Sequence, residues 1–464
     1  MRYVSRMSVA NVCECKLPHW RRRAATSGKC REGFRRLPHC LLIECCPYHW
    51  EVFPAWVSLL GEFGYDVDIA CPDTAGHLET LALLGIPRLP AERLWELPFE
   101  RYDLVLIGTL MHEGYNDLHR FLPLPGLDLV ERIGRPSISV IHDPVQWDKL
   151  CPEASFDGRH PRGWGTLNLH PDHSFYWQGR FRKKRRWSRE GERLVLWEDG
   201  RRLAFTSTDR GATYRGPNGM ALRRRPGPRV DLRRHTRSGH HAIVTLSRQA
   251  AESLKARCSA VTWIVPFASH DGLAPPLAGE FVFAGSIDYR RKAVSSLLSA
   301  CPTLAASESV VVVGGSRYAD LAEDPNIGRL IRDLTACDVE DKVRFTGYLP
   351  YGEFVERLRR SRFLLPLVDD QVSAGDYRTR TPAAIPLSLG LGVPLIVNEA
   401  IARRFDLDFM VCYPGEDLAS GLAAARSMNE VEYGRLRERT LDAARRQKAH
   451  NQGTLAGILR RIAP

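Results

Sequence analysis

Residues 280–292 read Glu280-Phe281-Val282-Phe283-Ala284-Gly285-Ser286-Ile287-Asp288-Tyr289-Arg290-Arg291-Lys292. A short, continuous apolar run bounded by a turn residue is the pattern of a strand buried on both faces. Gly285 ends the run and lets another group approach the backbone closely. Val294, Leu297 and Leu298 then recur at helical spacing, so the three cations stand at a helix start. In open parallel sheets ligands bind beyond the carboxyl ends of the strands, and helix starts favour anions. Gly285, Ser286, Arg290, Arg291 and Lys292 are therefore candidates for holding a phosphate-bearing ligand. The plainer alternative is a solvated basic turn.

The same punctuation recurs towards the C-terminus. Val310–Val313 runs into Gly314, Gly315, Ser316 and Arg317, and Val343-Arg344-Phe345-Thr346 into Gly347. Phe363-Leu364-Leu365-Pro366-Leu367 and Pro394-Leu395-Ile396-Val397 read as two more strands. Between them, Arg378-Thr379-Arg380-Thr381-Pro382 precedes a helical stretch, Ala383–Leu391, that stops at Gly392. Thr381 fits an N-cap with Pro382 at the first helical position. Free N–H groups flanked by Arg378 and Arg380 would make a second anion cradle.

Towards the N-terminus, Leu41-Leu42-Ile43 reads as a strand. His49-Trp50-Glu51 then opens a helix patterned by Val52, Phe53, Trp56, Val57, Leu59 and Leu60 and stopped at Gly64. Further strands follow at 65–70, 104–108, 137–141 and 242–247. Strands alternating with helices predict parallel βαβ units. Residues 151–240 break this rhythm. Glu198-Asp199-Gly200-Arg201, between two alternating apolar runs, is a strong hairpin signal, and Asp209-Arg210-Gly211 marks a second turn. Trp164, Trp177, Trp187, Trp197, Phe175, Tyr176 and Tyr214 make this segment aromatic, either as the core of a small sheet or as stacking surfaces for sugars or bases. Arg223–Pro228 reads as its exit linker. The expected fold is α/β: two Rossmann-like domains with a small antiparallel β insertion. The expected segments are a basic leader (1–39), a first domain (40–150), the insertion (151–240), the end of the first domain with a linker (241–279), and a second domain with C-terminal helices (280–464).

Composition bounds the class. With 464 residues, 44% hydrophobic and 26% charged, the chain is globular rather than disordered, and no apolar run is long enough for a transmembrane helix. The net charge of +12 is uneven. Residues 1–40 carry 10 Lys+Arg against 2 Asp+Glu, residues 151–240 carry 21 against 9, and the remainder is net acidic. Bulk basicity therefore belongs to the leader and the insertion. Either could meet an anionic acceptor or a membrane surface. Cys45, Cys46, Cys71, Cys301 and Cys412 lie in apolar runs, as buried reduced thiols of a cytoplasmic protein do. Cys13, Cys15, Cys30 and Cys40, with His19 and His39, match no strong metal template, so no metal is expected. Residues 21–23 are arginines without an apolar signal region behind them. The expected location is cytoplasmic, with peripheral membrane contact through the basic segments left open.

Chemistry is expected at strand ends of the first domain. His142 and Asp143 follow Ser137–Ile141; an imidazole titrates near neutrality and a carboxylate can take a hydroxyl proton. The alternative is a turn capped by Asp143 before Pro144. His49, Glu51 and His112 are candidates for acceptor contacts.

Taken together, the second half resembles the donor-binding domain of GT-B glycosyltransferases of the group 1, family 4-like type. The resemblance rests on Phe283-Ala284-Gly285-Ser286 with Arg291-Lys292, on Val312-Val313-Gly314-Gly315, on Val343–Gly347 with Tyr348-Leu349, and on Gly392-Val393-Pro394. His49-Trp50-Glu51 and Ile141-His142-Asp143-Pro144 resemble the acceptor domain of that family. The resemblance implies transfer of a sugar from a nucleotide-diphosphate sugar, a co-substrate bound mainly by the second half, with no cofactor and no obligate metal. It adds Gly314, Gly315, Arg317, Tyr348, Leu349 and Thr379 to the donor residues. The acceptor stays open among saccharide, lipid-linked and protein. Retaining members carry two glutamates separated by seven residues, where this chain has Thr379 and Leu387. That departure leaves stereochemistry open. It also keeps two alternatives: a non-catalytic carbohydrate- or polyanion-binding protein on the same scaffold, and a nucleotide-sugar epimerase. No zinc, RNP or helix-turn-helix signature speaks for nucleic acid.

Overall fold

The computed structural model describes residues 37–46, 49–110, 126–144, 147, 150, 153–160, 163–171, 173–177, 185–198, 200–225, 236, 239–270, 276–277, 279–314, 321–369 and 377–462. Residues 1–36 of the expected basic leader, His112, Gly315 and Arg317 lie outside the described residues, whereas His39, expected to end the leader, opens the first strand.

The first domain starts with β1 (His39–Ile43), α1 (Phe53–Gly61), β2 (Asp66–Cys71), α2 (Ala75–Leu84), β3 (Arg88–Pro90), β4 (Leu104–Ile107), α3 (Gly126–Ile133) and β5 (Ser137–Ile141). An antiparallel eight-stranded sheet follows: β6 (Ala154–His160), β7 (Gly163–Leu169), β8 (Phe175–Trp177), β9 (Arg185–Glu190), β10 (Arg193–Glu198), β11 (Arg201–Ser207), β12 (Thr213–Arg215) and β13 (Ala221–Arg224). The chain then returns to the first sheet with β14 (His241–Thr245), α4 (Arg248–Lys255) and β15 (Val261–Trp263).

That first sheet has the order β15-β14-β5-β4-β1-β2-β3, and all its pairs are parallel. Successive side chains of a strand point to opposite faces. Leu42 therefore packs with Trp56 and Leu106 on one face, while Leu41 and Ile43 pack with Trp147 on the other. The order reverses at β1 and β4, the usual place for a ligand crevice beyond the strand ends.

In the insertion, Glu198 pairs with Arg201 across the turn at Gly200, whose φ is +79°. Trp177, Trp187, Phe175 and Tyr214 are buried with Phe156 and Phe205 in the core of this sheet, which settles their role as packing. Arg223 and Arg224 belong to β13 rather than to a linker, because they pair with Asp157 and Phe156 of β6.

The second domain holds β16 (Glu280–Ala284), α5 (Val294–Ala300), β17 (Ser309–Val313), α6 (Pro325–Ala336), β18 (Val343–Phe345), α7 (Tyr351–Arg359), β19 (Phe363–Leu364), α8 (Ala384–Leu391), β20 (Leu395–Asn398), α9 (Glu399–Arg404), β21 (Met410–Tyr413), α10 (Leu418–Ser427) and α11 (Glu430–Ile462). Its parallel sheet has the order β18-β17-β16-β19-β20-β21. β19 is shorter than the apolar run suggested: Pro366 has no N–H for a ladder, and Leu367 turns into the left-handed region at φ +48°. Cys412 is exposed, unlike the buried Cys45, Cys46, Cys71 and Cys301, because in β21 it alternates with the buried Val411 and Tyr413 and so points to the opposite face. The long α11 returns to the first domain, where Leu455, Ile458 and Ile462 join the core around Leu42 and Trp56. Among the described residues no helix is long and apolar enough to cross a membrane.

Candidate active site between the two sheets

The carboxyl ends of β1, β4 and β5 place three segments side by side. Glu44 follows β1 with no exposed surface, and its Oε1 accepts the Cys46 N–H at 2.8 Å. Gly108 follows β4 because nothing larger fits there: a Cβ would stand 2.6 Å from Glu44 Oε2. Next to it, the Thr109 hydroxyl lies 2.9 Å from Glu44 Oε2, 2.9 Å from His49 Nδ1 and 3.1 Å from His142 Nε2. His142 follows β5, and its Nε2 is also 2.9 Å from the Gly108 carbonyl oxygen. The two imidazoles stack with centroids 4.4 Å apart and planes 3° from parallel.

Burial dominates the electrostatics here. It pushes Glu44 up to about 8, against the Cys46 N–H and Thr109 hydroxyl that favour the anion. It lowers His142 to about 4 and His49 well below its ordinary range. Both histidines are neutral near pH 7. Glu51, on the turn before α1, is pushed up to about 7 by burial. Its neighbour Trp50 packs edge-on against Tyr351 and Phe354 of α7.

The second sheet faces this cluster. Arg380 forms an ion pair with Asp143. Ser247 Oγ donates to the Thr379 carbonyl at 2.8 Å, and Thr381 Oγ1 donates to the Leu246 carbonyl at 2.8 Å. Thr381 is therefore not the expected N-cap. A tertiary acceptor has taken its hydroxyl, and α8 begins at Ala384 without a side-chain cap. Asp143 is likewise not a free base but the buried partner of a cation. Arg378 is exposed beside them.

At the end of β16, Gly285 has φ +113°, and at the end of β17 Gly314 has φ +73°, conformations that side-chain-bearing residues rarely adopt. Asp288 accepts from Arg291 Nε at 2.7 Å and from the Arg290 N–H at 3.0 Å. The Arg290 side chain itself is 90% exposed, and Ser286 is exposed too. Lys292 Nζ donates to the Pro366 carbonyl at 3.0 Å and lies 5.3 Å from the ring centroids of Phe283 and Tyr377. Burial lowers its pKa to about 8. Tyr348 donates to Glu79 of α2 at 2.6 Å, while Leu349 packs onto the core beneath.

A cavity of about 180 Å³ opens between the sheets. His49, Glu51 and His142 line it from the first domain, and Tyr351, Thr381 and Leu387 from the second. The structure thus brings His49, Glu51, His142 and Thr381 together at one cavity. Arg290, Arg291, Lys292, Gly285 and Gly314 lie at the carboxyl edge of the second sheet. Glu44 and Thr109 were missed in the sequence. The available signal was a single carboxylate between the apolar run Leu41–Ile43 and Cys45-Cys46.

The sequence matches no family model and no curated protein. Solved structures do resemble the fold. Anabaena HepE in complex with UDP-glucose is 11% identical, with a TM-score of 0.53 over 91% of this chain and 99% of that one. The same protein in complex with UDP and glucose is 10% identical, with a TM-score of 0.50 over the same shares. Sucrose-phosphate synthase from Thermosynechococcus elongatus is 14% identical, with a TM-score of 0.46 over 92% and 98%. With two parallel Rossmann-like sheets facing each other and a last helix returning to the first, the chain has the GT-B fold of glycosyltransferases.

Proposed function

We propose that this protein is a glycosyltransferase that moves a sugar from a nucleotide-diphosphate sugar to an acceptor hydroxyl. The observation that carries the reading is the cavity between the two sheets. A neutral imidazole pair lines one side and the start of α8 the other, and the Arg380–Asp143 ion pair stands next to His142 in the chain. HepE, whose fold this chain shares, was captured with UDP-glucose, which supports a nucleotide-sugar donor.

On this reading the diphosphate lies along the carboxyl edge of the second sheet. Gly285 and Gly314 let their backbones approach it, and Lys292, Arg290, Arg291 and Arg378 supply positive charge. The Arg380–Asp143 pair joins the domains beside the reacting centre, which commits Asp143 to a cation. Cations and backbone N–H groups can offset diphosphate charge without a metal. No carboxylate stands at Thr379 or Leu387, and Leu387 presents an apolar surface to the cavity. His49 and His142, with Glu51 beside them on the cavity wall, are the groups that could take the acceptor's proton.

Thermal-shift measurement with a panel of nucleotide sugars tests the reading, since a ligand that binds only the folded state raises its stability. At least one nucleotide sugar is expected to raise the Tm. Arg378→Ala and Lys292→Ala should each weaken that binding. Unchanged affinity in both would remove the donor assignment.

A further inference from the structure

We propose that Glu44, Thr109 and His49 form a proton relay that carries the acceptor hydroxyl's proton from the cavity to Glu44 through the Thr109 hydroxyl, switching the His49 tautomer. This rests on the glycosyltransferase reading for the source of the proton, but the relay itself follows from counting donors and acceptors.

The Gly108 carbonyl can only accept, so His142 Nε2, 2.9 Å away, carries a hydrogen. Neutral His142 then keeps its lone pair on Nδ1, which has no hydrogen-bond partner among the described residues. Thr109 has one hydrogen and two lone pairs. With Glu44 ionised, the hydroxyl donates to Glu44 Oε2 and accepts from His142 Nε2–H and His49 Nδ1–H. His49 Nε2 is then a lone pair in a side chain that lines the cavity. With Glu44 protonated, Oε1 is already committed to the Cys46 N–H, so the proton sits on Oε2. The Thr109 oxygen accepts it, the Thr109 hydrogen turns to His49 Nδ1, and His49 carries its hydrogen on Nε2.

The transfer balances without any external reagent. The acceptor O–H breaks as His49 Nε2–H forms, His49 Nδ1–H passes to Thr109 Oγ1, and the Thr109 hydrogen passes to Glu44 Oε2. The acceptor oxygen keeps its electron pair for attack on the donor sugar. No charge remains on either imidazole, in keeping with the geometry: two half-buried rings stacked at 4.4 Å are a poor place for a cation. The ionisable groups that surround the relay fit this. Glu51 raises Glu44 further, His77 and His142 disfavour a charged His49, and Arg380 disfavours a charged His142. Glu44 and Thr109 are positioning and proton-holding residues; His49 is the group that meets the acceptor.

The test uses the full chain with ¹⁵N-labelled histidine, its imidazole nitrogens followed by NMR from about pH 6 to about pH 10, either side of the carboxyl titration. In the wild type His49 is expected to change from Nε2–H to Nδ1–H as pH rises. Glu44→Gln and Thr109→Val should abolish the change, and Thr109→Ser should keep it. A His49 tautomer that does not move in the wild type, or that switches equally in Glu44→Gln, overturns the relay. Should Thr109→Val fail to fold, Glu44→Gln and Thr109→Ser still decide. In the second arm, hydrolysis of a bound nucleotide sugar should fall about 10²-fold in kcat in Glu44→Gln with nucleotide affinity unchanged. A kcat within about twofold of wild type overturns the catalytic part. A wild type that binds no nucleotide sugar overturns the glycosyltransferase reading alone, and the tautomer arm still judges the relay.

Discussion

At Gly108 the backbone passes so close to the Glu44 carboxylate that a methyl group would collide with Oε2 at 2.6 Å. Glu44 has no room to yield, since it is fully buried and held by the Cys46 N–H. Gly108→Ala is therefore expected to lower stability by about 1–3 kcal/mol, the usual range for overpacking, as read from the denaturant midpoint. A midpoint equal to wild type contradicts the packing. The same carboxylate sets a pH dependence. Glu44 and Glu51 are raised from 4.5 to about 8 and about 7. The native state therefore holds protons that the unfolded chain releases, and stability falls as pH rises from about 4.5 to about 8. His142 and His77, lowered from 6.5 to about 4, act in the other direction, and their contribution is lost as pH falls from 6.5 to 4. Glu44→Gln removes Glu44's share of that loss and leaves Glu51's. Its Tm relative to wild type is expected to improve steadily between about pH 4.5 and about pH 8; a pH-independent difference would contradict the burial.

At the scale of elements, α8 and the segment linking the domains touch backbone to backbone. A Cβ at Gly390 would overlap the Ala268 carbonyl, and the His270 N–H donates to the Gly390 carbonyl at 3.1 Å. Gly390→Ala should push α8 away from the linker. The expected result is a lower Tm together with a raised KM for the donor, because Thr381 and Leu387 line the cavity at and just before the same helix. An unchanged KM would mean that α8 does not set the cavity. Most of these elements were legible in the sequence. Buried parallel strands such as Phe281–Ala284 and Val310–Val313 are apolar runs ended by glycine, and the insertion announces itself by the turn at Gly200. The failures share one cause. Thr381 has the local pattern of a cap, but its hydroxyl finds Leu246 across the chain. Glu44 looks like an ordinary charged residue after a strand, and only the packing of β4 and β5 beside β1 makes it a buried partner of Thr109. Local pattern specifies elements, whereas the site is made by residues far apart in sequence.

Across the whole molecule, α11 ties the two sheets together. Asn451 donates to the Val265 carbonyl at 2.6 Å and accepts the Val265 N–H at 3.2 Å, and both contacts are buried. Asn451→Leu leaves both backbone groups without partners. The expected loss is about 1–3 kcal/mol for each buried unsatisfied group, measured by chemical denaturation. A loss below that range would mean that water replaces the amide. The charge distribution also takes its meaning at this scale. Net basicity lies in the segments outside the two parallel sheets, whereas the proposed donor site rests on a few placed cations, among them Lys292 and Arg378. The central claim is that these cations hold a nucleotide sugar in the cleft. Titration calorimetry of the full chain with the nucleotide sugar that most raises its Tm tests it most directly. The account predicts one site per chain, weakened about tenfold or more in Arg378→Ala and in Lys292→Ala, the loss of at least one charge-assisted contact each. Binding of equal strength in both variants, or no binding by any nucleotide sugar, would contradict it.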